Sequence, residues 1–137
     1  MEKNNLEYVR MFNEVSRQFL EELVQTFPEQ KSIKVGQMFL ESLCKINIRK
    51  PVNDFIRQSL PYLEQIAMKD EEFLKNNNDK PVMLQKIKIE EWWDDDLSQS
   101  IKTTVWKYIK TLFAIAVKVV EIGPEYTPYI QFIINSD

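Results

Sequence analysis

The chain has 137 residues, 44% of them apolar and 28% charged, the make-up of one globular domain, long enough to bury about 68% of the surface its unfolded form exposes. It contains no His, one Cys (Cys44) and two Gly. On its own it therefore cannot build a four-ligand structural zinc site, an intramolecular disulfide, imidazole-dependent catalysis or a Gly-rich phosphate loop. Net charge is −3, with 10 Lys/Arg against 9 Asp/Glu over residues 1–69 and 8 against 12 over residues 70–137. Neither half has the basic footprint of a nucleic-acid binder.

Residues 5–26 read as an amphipathic helix. Val9, Phe12, Ser16, Phe19, Leu20 and Leu23 recur at threes and fours, with Glu14, Arg17, Glu21 and Glu22 on the other side. Pro28 ends it and pushes Phe27 out of the helical region, which predicts an aromatic ring folded back under the helix end. A second helix is expected after Ser32, to about residue 45, with Ile33, Phe39, Leu40, Leu43 and Cys44 as its stripe. Cys44 on that stripe reads as a small buried hydrophobe. Gly36 falls inside this helix and costs about 1 kcal/mol relative to Ala, so it either admits a close neighbour or shortens the helix from its start.

Pro51 suits a helical first turn, and Val52, Phe55, Ile56 and Leu60 continue the apolar pattern until Pro61 kinks or splits it. Leu63, Ile66 and Ala67 carry the helix on to about residue 70, and 71–74 read as one turn that places Phe73 in the core. The segment 75–81, KNNNDKP, has nothing to bury and is expected to be an exposed loop. Residues 82–93 fit either a helix or a strand; helix is favoured because no partner strand is evident.

The stretch 101–122 is the most apolar helix, and with its cap region (about 97–122) it is expected near the centre of the fold. At 100° per residue, Ile101, Val105, Tyr108, Ile109, Leu112, Phe113, Ile115, Ala116, Val119 and Val120 share a face covering about half the circumference. Trp106 and Val117 lie at its edge. Asp94, Asp95, Asp96 or Ser98 can cap its start, and Gly123-Pro124 is expected to stop it. Residues 124–137 form a tail in which Pro124 and Pro128 argue against a long helix; 129–134 fit one helical turn or an extended segment, docked on the same domain. The prediction is an all-α single domain, 1–137, of five to six helices.

The run EEWWDDD, 90–96, is the densest group of chemistry-bearing residues. Its spacing matches no calcium loop, and capping of the next helix explains Asp94, Asp95 and Asp96. An enzyme using Glu90, Glu91 and these acids on a metal is the lesser alternative. No catalytic residue, metal site or cofactor is predicted. Adjacent rings on a helix point 100° apart, so one of Trp92 and Trp93 is expected in the core and the other partly exposed; two core anchors at a helix junction is the plainer reading of the pair. An exposed Trp beside Asp94 and Asp95 would suit a binding hot spot. With Tyr129 and Phe132 of the tail, these make the candidate partner-binding residues. Lys107, Lys110 and Lys118 gather on the polar strip of the central helix and read as a solvated face, or alternatively as a strip for nucleic acid.

Three segments, FLEELVQTFPE, DEEF at 70–73 and VWKYIKTL at 105–112, together with an Asn-, Lys- and Ile-rich composition, resemble small helical proteins of nucleocytoplasmic large DNA viruses. The resemblance covers most of the domain and implies a viral origin; it brings no activity and no catalytic residues. A Bcl-2-like helical regulator would also be a small bundle around an apolar helix, but the Asn-Trp-Gly-Arg signature of that family is absent. The N-terminal MEKNNLEYVRMF lacks the apolar core of a signal peptide, and the longest apolar run, 112–117, is far short of the ~20 residues of a membrane span. The functional expectation is a non-enzymatic, cytoplasmic module (in the host cytoplasm or the virion, if viral) that binds a protein partner.

Overall fold

The fold is all-α. The computed structural model describes residues 2–76 and 82–136, and among these there is no strand. The helices are α1 (Glu2–Thr26), α2 (Lys31–Ile46), α3 (Lys50–Ser59), α4 (Leu63–Ala67), α5 (Glu71–Asn76), α6 (Val82–Lys86), α7 (Gln99–Ala116) and α8 (Thr127–Asn135). Short 3-10 turns occupy Leu60–Tyr62, Ile89–Glu91 and Pro124–Tyr126. The eight helical segments exceed the five to six expected because α4, α5 and α6 are only one to two turns long.

α7 lies at the centre, packed on α1, α3 and α8. Its Val105, Ile109, Leu112, Phe113 and Ala116 are buried with Val9, Phe12, Phe19, Val52, Phe55 and Ile133 in one core. Aromatic rings knit α1, α3 and α7: Phe55 meets Phe12 at 5.4 Å and Phe113 edge-on at 4.9 Å. Phe19 stacks on Tyr108 at 4.9 Å, and the Tyr108 hydroxyl donates to Glu22 on α1.

α7 ends at Ala116, well before Gly123. Residues 117–119 form a turn in which Lys118 N–H bonds the Ile115 carbonyl and Val119 N–H that of Ala116. Val117, Val119 and Val120 are β-branched and lose χ1 freedom in a helix, and from the turn they still pack against the core. At the other end, Ser98 is the cap, its Oγ accepting from Ile101 N–H.

The tail is docked: α8 buries Ile130 and Ile133 against α4 and α7. Pro128 does not prevent the helix because it stands in the first turn, where its missing N–H has no intrahelical acceptor. Pro61 splits α3 from α4, as its ring geometry demands. The expected loop at 75–81 lies mostly outside the described residues; Lys75 and Asn76 belong to the last turn of α5.

Segment 82–93 is helical in pieces. Lys88 stands in the left-handed region (φ 49°) between α6 and the following 3-10 turn, so the chain bends where a continuous helix was expected. Ile87 anchors the bend. Its carbonyl accepts from Ser32 Oγ (2.9 Å) and Trp92 Nε1 (3.1 Å), and its side chain lies so close to Gly36 that a Cβ there would collide with Ile87 Cγ2. Gly36 is thus the close-approach position of α2, inside a helix that keeps its full length.

Candidate functional site

The bend at Ile87 and Lys88 decides the fate of the Trp pair. Trp92 itself is non-helical (φ −125°), which cancels the 100° divergence of neighbouring helical side chains. Trp92 and Trp93 are 4% and 1% exposed, so the expected partly exposed ring is absent and both are core anchors. Trp92 packs on Phe27 at 4.8 Å, the ring folded back from the end of α1, and Trp93 meets Trp106 edge-on at 6.1 Å. Both indole N–H groups are used inside the domain: Trp92 on the Ile87 carbonyl, Trp93 on Glu71 Oε1 at 3.1 Å.

The neighbouring acids do not converge. Asp94 Oδ1 accepts from Asp96 N–H (2.9 Å), Asp95 pairs with Lys75 at 3.3 Å, and all three are exposed. Among the described residues no group of three or more His, Cys, Asp or Glu side chains is placed to hold a metal ion.

Beneath Trp93 lies an ion pair that the sequence reading missed. Lys102 Nζ donates to Glu71 Oε1 at 3.0 Å and stands 5.9 Å from the centre of the Trp93 ring. Lys102 is buried, while the Glu71 side chain is 39% exposed. The Lys102 and Trp93 hydrogen bonds hold the Glu71 carboxyl below its usual range. A signal was present: Lys102 precedes Val105 by three and Trp106 by four, a register that puts it on the buried face of α7.

The lysine strip divides. Lys118 stands in the turn after α7. Lys107 and Lys110 instead line a cleft of about 290 Å³ between α4, α7 and α8. Ile66, Trp106, Ile109 and Ile133 supply its apolar walls, and Lys69 joins the two lysines at the rim. Lys110 Nζ donates to the Ser136 carbonyl at the end of α8. Lys69 takes the left-handed conformation (φ 53°) in a helix-ending turn, with Lys69 N–H on the Ile66 carbonyl and Asp70 N–H on the Gln65 carbonyl. Nothing in the sequence links Lys69 to Lys107, because only the return of α4 onto α7 and α8 brings them together.

Among the described residues, α8 and α2 each present exposed apolar side chains in a group. On α8, Tyr129 (43%) and Phe132 (57%) face outward beside the buried Ile130 and Ile133. On α2, Val35, Met38 and Ile46 are 50%, 70% and 71% exposed; with Ser42 their spacing of three, four and four places them in one row along the helix. The row lies on the side of α2 opposite Ile33 and Leu40, so the inward-facing periodicity does not reveal it. Cys44 is half-buried, with Arg17 Nη2 3.7 Å from its Sγ, and burial pushes its thiol above the usual range, away from the reactive thiolate.

No described helix is long and apolar enough to cross a membrane. Comparison with protein-family models, with curated proteins and with solved structures finds no match to this chain.

Proposed function

We propose that this chain is a non-enzymatic helical module that binds another protein through the outer face of α2, its partner being an amphipathic helix with an acidic flank. The row Val35, Met38 and Ile46 carries this reading. Three large apolar side chains, each at least half exposed, run along one helix face in the spacing that helix-on-helix recognition uses. Lys31 stands at the head of the row and Lys34 and Lys45 are exposed along one edge of it, whereas the acid on that edge, Glu41, is engaged by Arg17 at 2.7 Å. The edge is therefore cationic. Methionine adds support: Met38 in this row is 70% exposed, and this flexible side chain is favoured on surfaces that adapt to partners. Under the viral resemblance, the partner is a virion component or a host protein.

The test is affinity capture with three proteins: wild type, Met38→Glu/Ile46→Glu, and Tyr129→Ser/Phe132→Glu. Both variants change exposed side chains and should melt like wild type. The expected result is a defined partner retained by wild type and by the α8 variant but lost from the α2 variant. A partner retained equally by all three would overturn the reading, and loss only from the α8 variant would move the site to Tyr129 and Phe132.

A further inference from the structure

We propose that the cleft between α4, α7 and α8 binds a small amphipathic anion, with its apolar body against Trp106 and Ile133 and its carboxylate or phosphate at Lys107 and Lys110. Charge and shape both point to this class of ligand. α7 and α8 contain no acidic residue, and the only carboxylate on α4, Glu64, does not line the cleft. Among the described residues none of the side chains lining the cleft is acidic, and Lys107 and Lys110 make its mouth cationic. Lys110 is held in place by its bond to the Ser136 carbonyl, and an ammonium has three protons to donate. Lys107 lies one turn earlier on the same helix, exposed at the same mouth.

The walls select against a fully hydrated ion. Ile66, Trp106, Ile109 and Ile133 come from three different helices, and each is a core residue that presents one edge to the cleft. Apolar walls with a few convergent polar groups are the usual form of a small-molecule site. The volume of about 290 Å³ equals roughly ten waters at ~30 Å³ each, at the small end of the ~300–1,000 Å³ range of ligand pockets. It fits a short alkyl or aryl group with one anionic head. A nucleic-acid strand would need a track of phosphate contacts, and Lys118, the remaining lysine of the strip, lies outside the cleft lining.

The site is independent of the α2 face and is tested separately, by calorimetry and amide chemical-shift mapping on the full chain. The probes are hexanoate and phenyl phosphate, with hexanol and inorganic phosphate as controls. Saturable binding of hexanoate or phenyl phosphate is expected, with shifts centred on Ile66, Thr103, Trp106 and Lys107; which of the two binds more tightly identifies the head group. Hexanol and inorganic phosphate should each bind at least about tenfold more weakly, the loss of one favourable contact set. Lys107→Gln should weaken the preferred probe, and raised salt should do the same. Because Lys110 also holds the end of α8, Thr103→Phe serves as the second variant: it fills the mouth without removing a charge and should block binding. No saturation by about 10 mM of either amphiphile, a concentration that would largely fill even a site of ~1 mM dissociation constant, would overturn the proposal. So would equal binding of hexanol, equal binding of inorganic phosphate, or indifference to both variants. Binding of an oligonucleotide that Lys107→Gln weakens, with neither amphiphile bound, would replace it with a phosphate-backbone site.

Discussion

The ammonium of Lys102 is buried against the carboxylate of Glu71, at 3.0 Å, with the face of Trp93 beside it. The two partners are unequal, because Lys102 has lost its water while Glu71 keeps part of its own. Breaking a fully buried pair costs about 3–5 kcal/mol; with Glu71 partly hydrated, solvent screening reduces this, and Glu71→Gln is expected to cost about 1–2 kcal/mol. Lys102→Met leaves a half-hydrated carboxylate and an apolar side chain of similar length, so its effect should lie within about ±1 kcal/mol. Urea unfolding of the two variants tests this asymmetry, and equal losses would refute it. The pH dependence follows from the direction of the shift. Glu71 titrates below its unfolded value, so its contribution is fully present above about pH 4.3 and fades as pH falls through the folded value. Wild type should therefore lose more stability than Glu71→Gln on acidification. Tyr108 has the opposite sense: its bond to Glu22 and its burial push the phenol up to about 12. A raised acid favours the protonated fold, so this contribution is intact below about pH 10 and is lost as pH rises toward the folded value. Tyr108→Phe should show a flatter alkaline limb than wild type in the same assay.

At the scale of elements, the contact of α2 with the bend after α6 turns on Gly36. Ala is favoured over Gly inside a helix by about 1 kcal/mol. Here its Cβ would strike Ile87 Cγ2, which sits on a stiff β-branched side chain that is fully buried. Overpacking of that kind costs about 1–3 kcal/mol, so the clash wins, and Gly36→Ala should destabilise rather than stabilise. Adding Ile87→Leu, which moves the branch one carbon outward, should recover part of the loss; a stabilised single variant would show that α2 and the bend are not in contact. The same elements show what periodicity can and cannot reveal. α1, α2, α3 and α7 were legible because each repeats its apolar residues at threes and fours over ten or more positions. The segment from Val82 to Trp93 was not, because its course is set by one left-handed residue, Lys88, and by hydrogen bonds from Ser32 and Trp92 to one carbonyl. The end of α7 was misplaced because Val119 and Val120 keep the helical spacing while leaving the helix.

On the scale of the whole molecule, the buried residues from α1 to α8 form one core, and both candidate sites are by-products of how it closes. The α2 row was readable in principle, since Val35, Met38 and Ile46 lie within a single helix. The cleft was not, because Lys69, Lys107 and Ser136 come from separate elements and meet only when α8 returns across α4 and α7. That return also predicts how the molecule unfolds. Removing residues 124–137 would strip Ile130 and Ile133 from the core and uncover Ile66, Trp106 and Ile109. Each buried Ile contributes about 1.5–3 kcal/mol, so the two together are a large share of the 5–15 kcal/mol that holds a typical domain. The full chain should unfold in one transition, seen alike by far-ultraviolet circular dichroism and Trp fluorescence. The truncated chain should unfold at a clearly lower urea concentration, or be unfolded without denaturant. Coincident midpoints for the two chains would mean that α8 only rests on the surface of α7, and the cleft between them would then have no fixed wall.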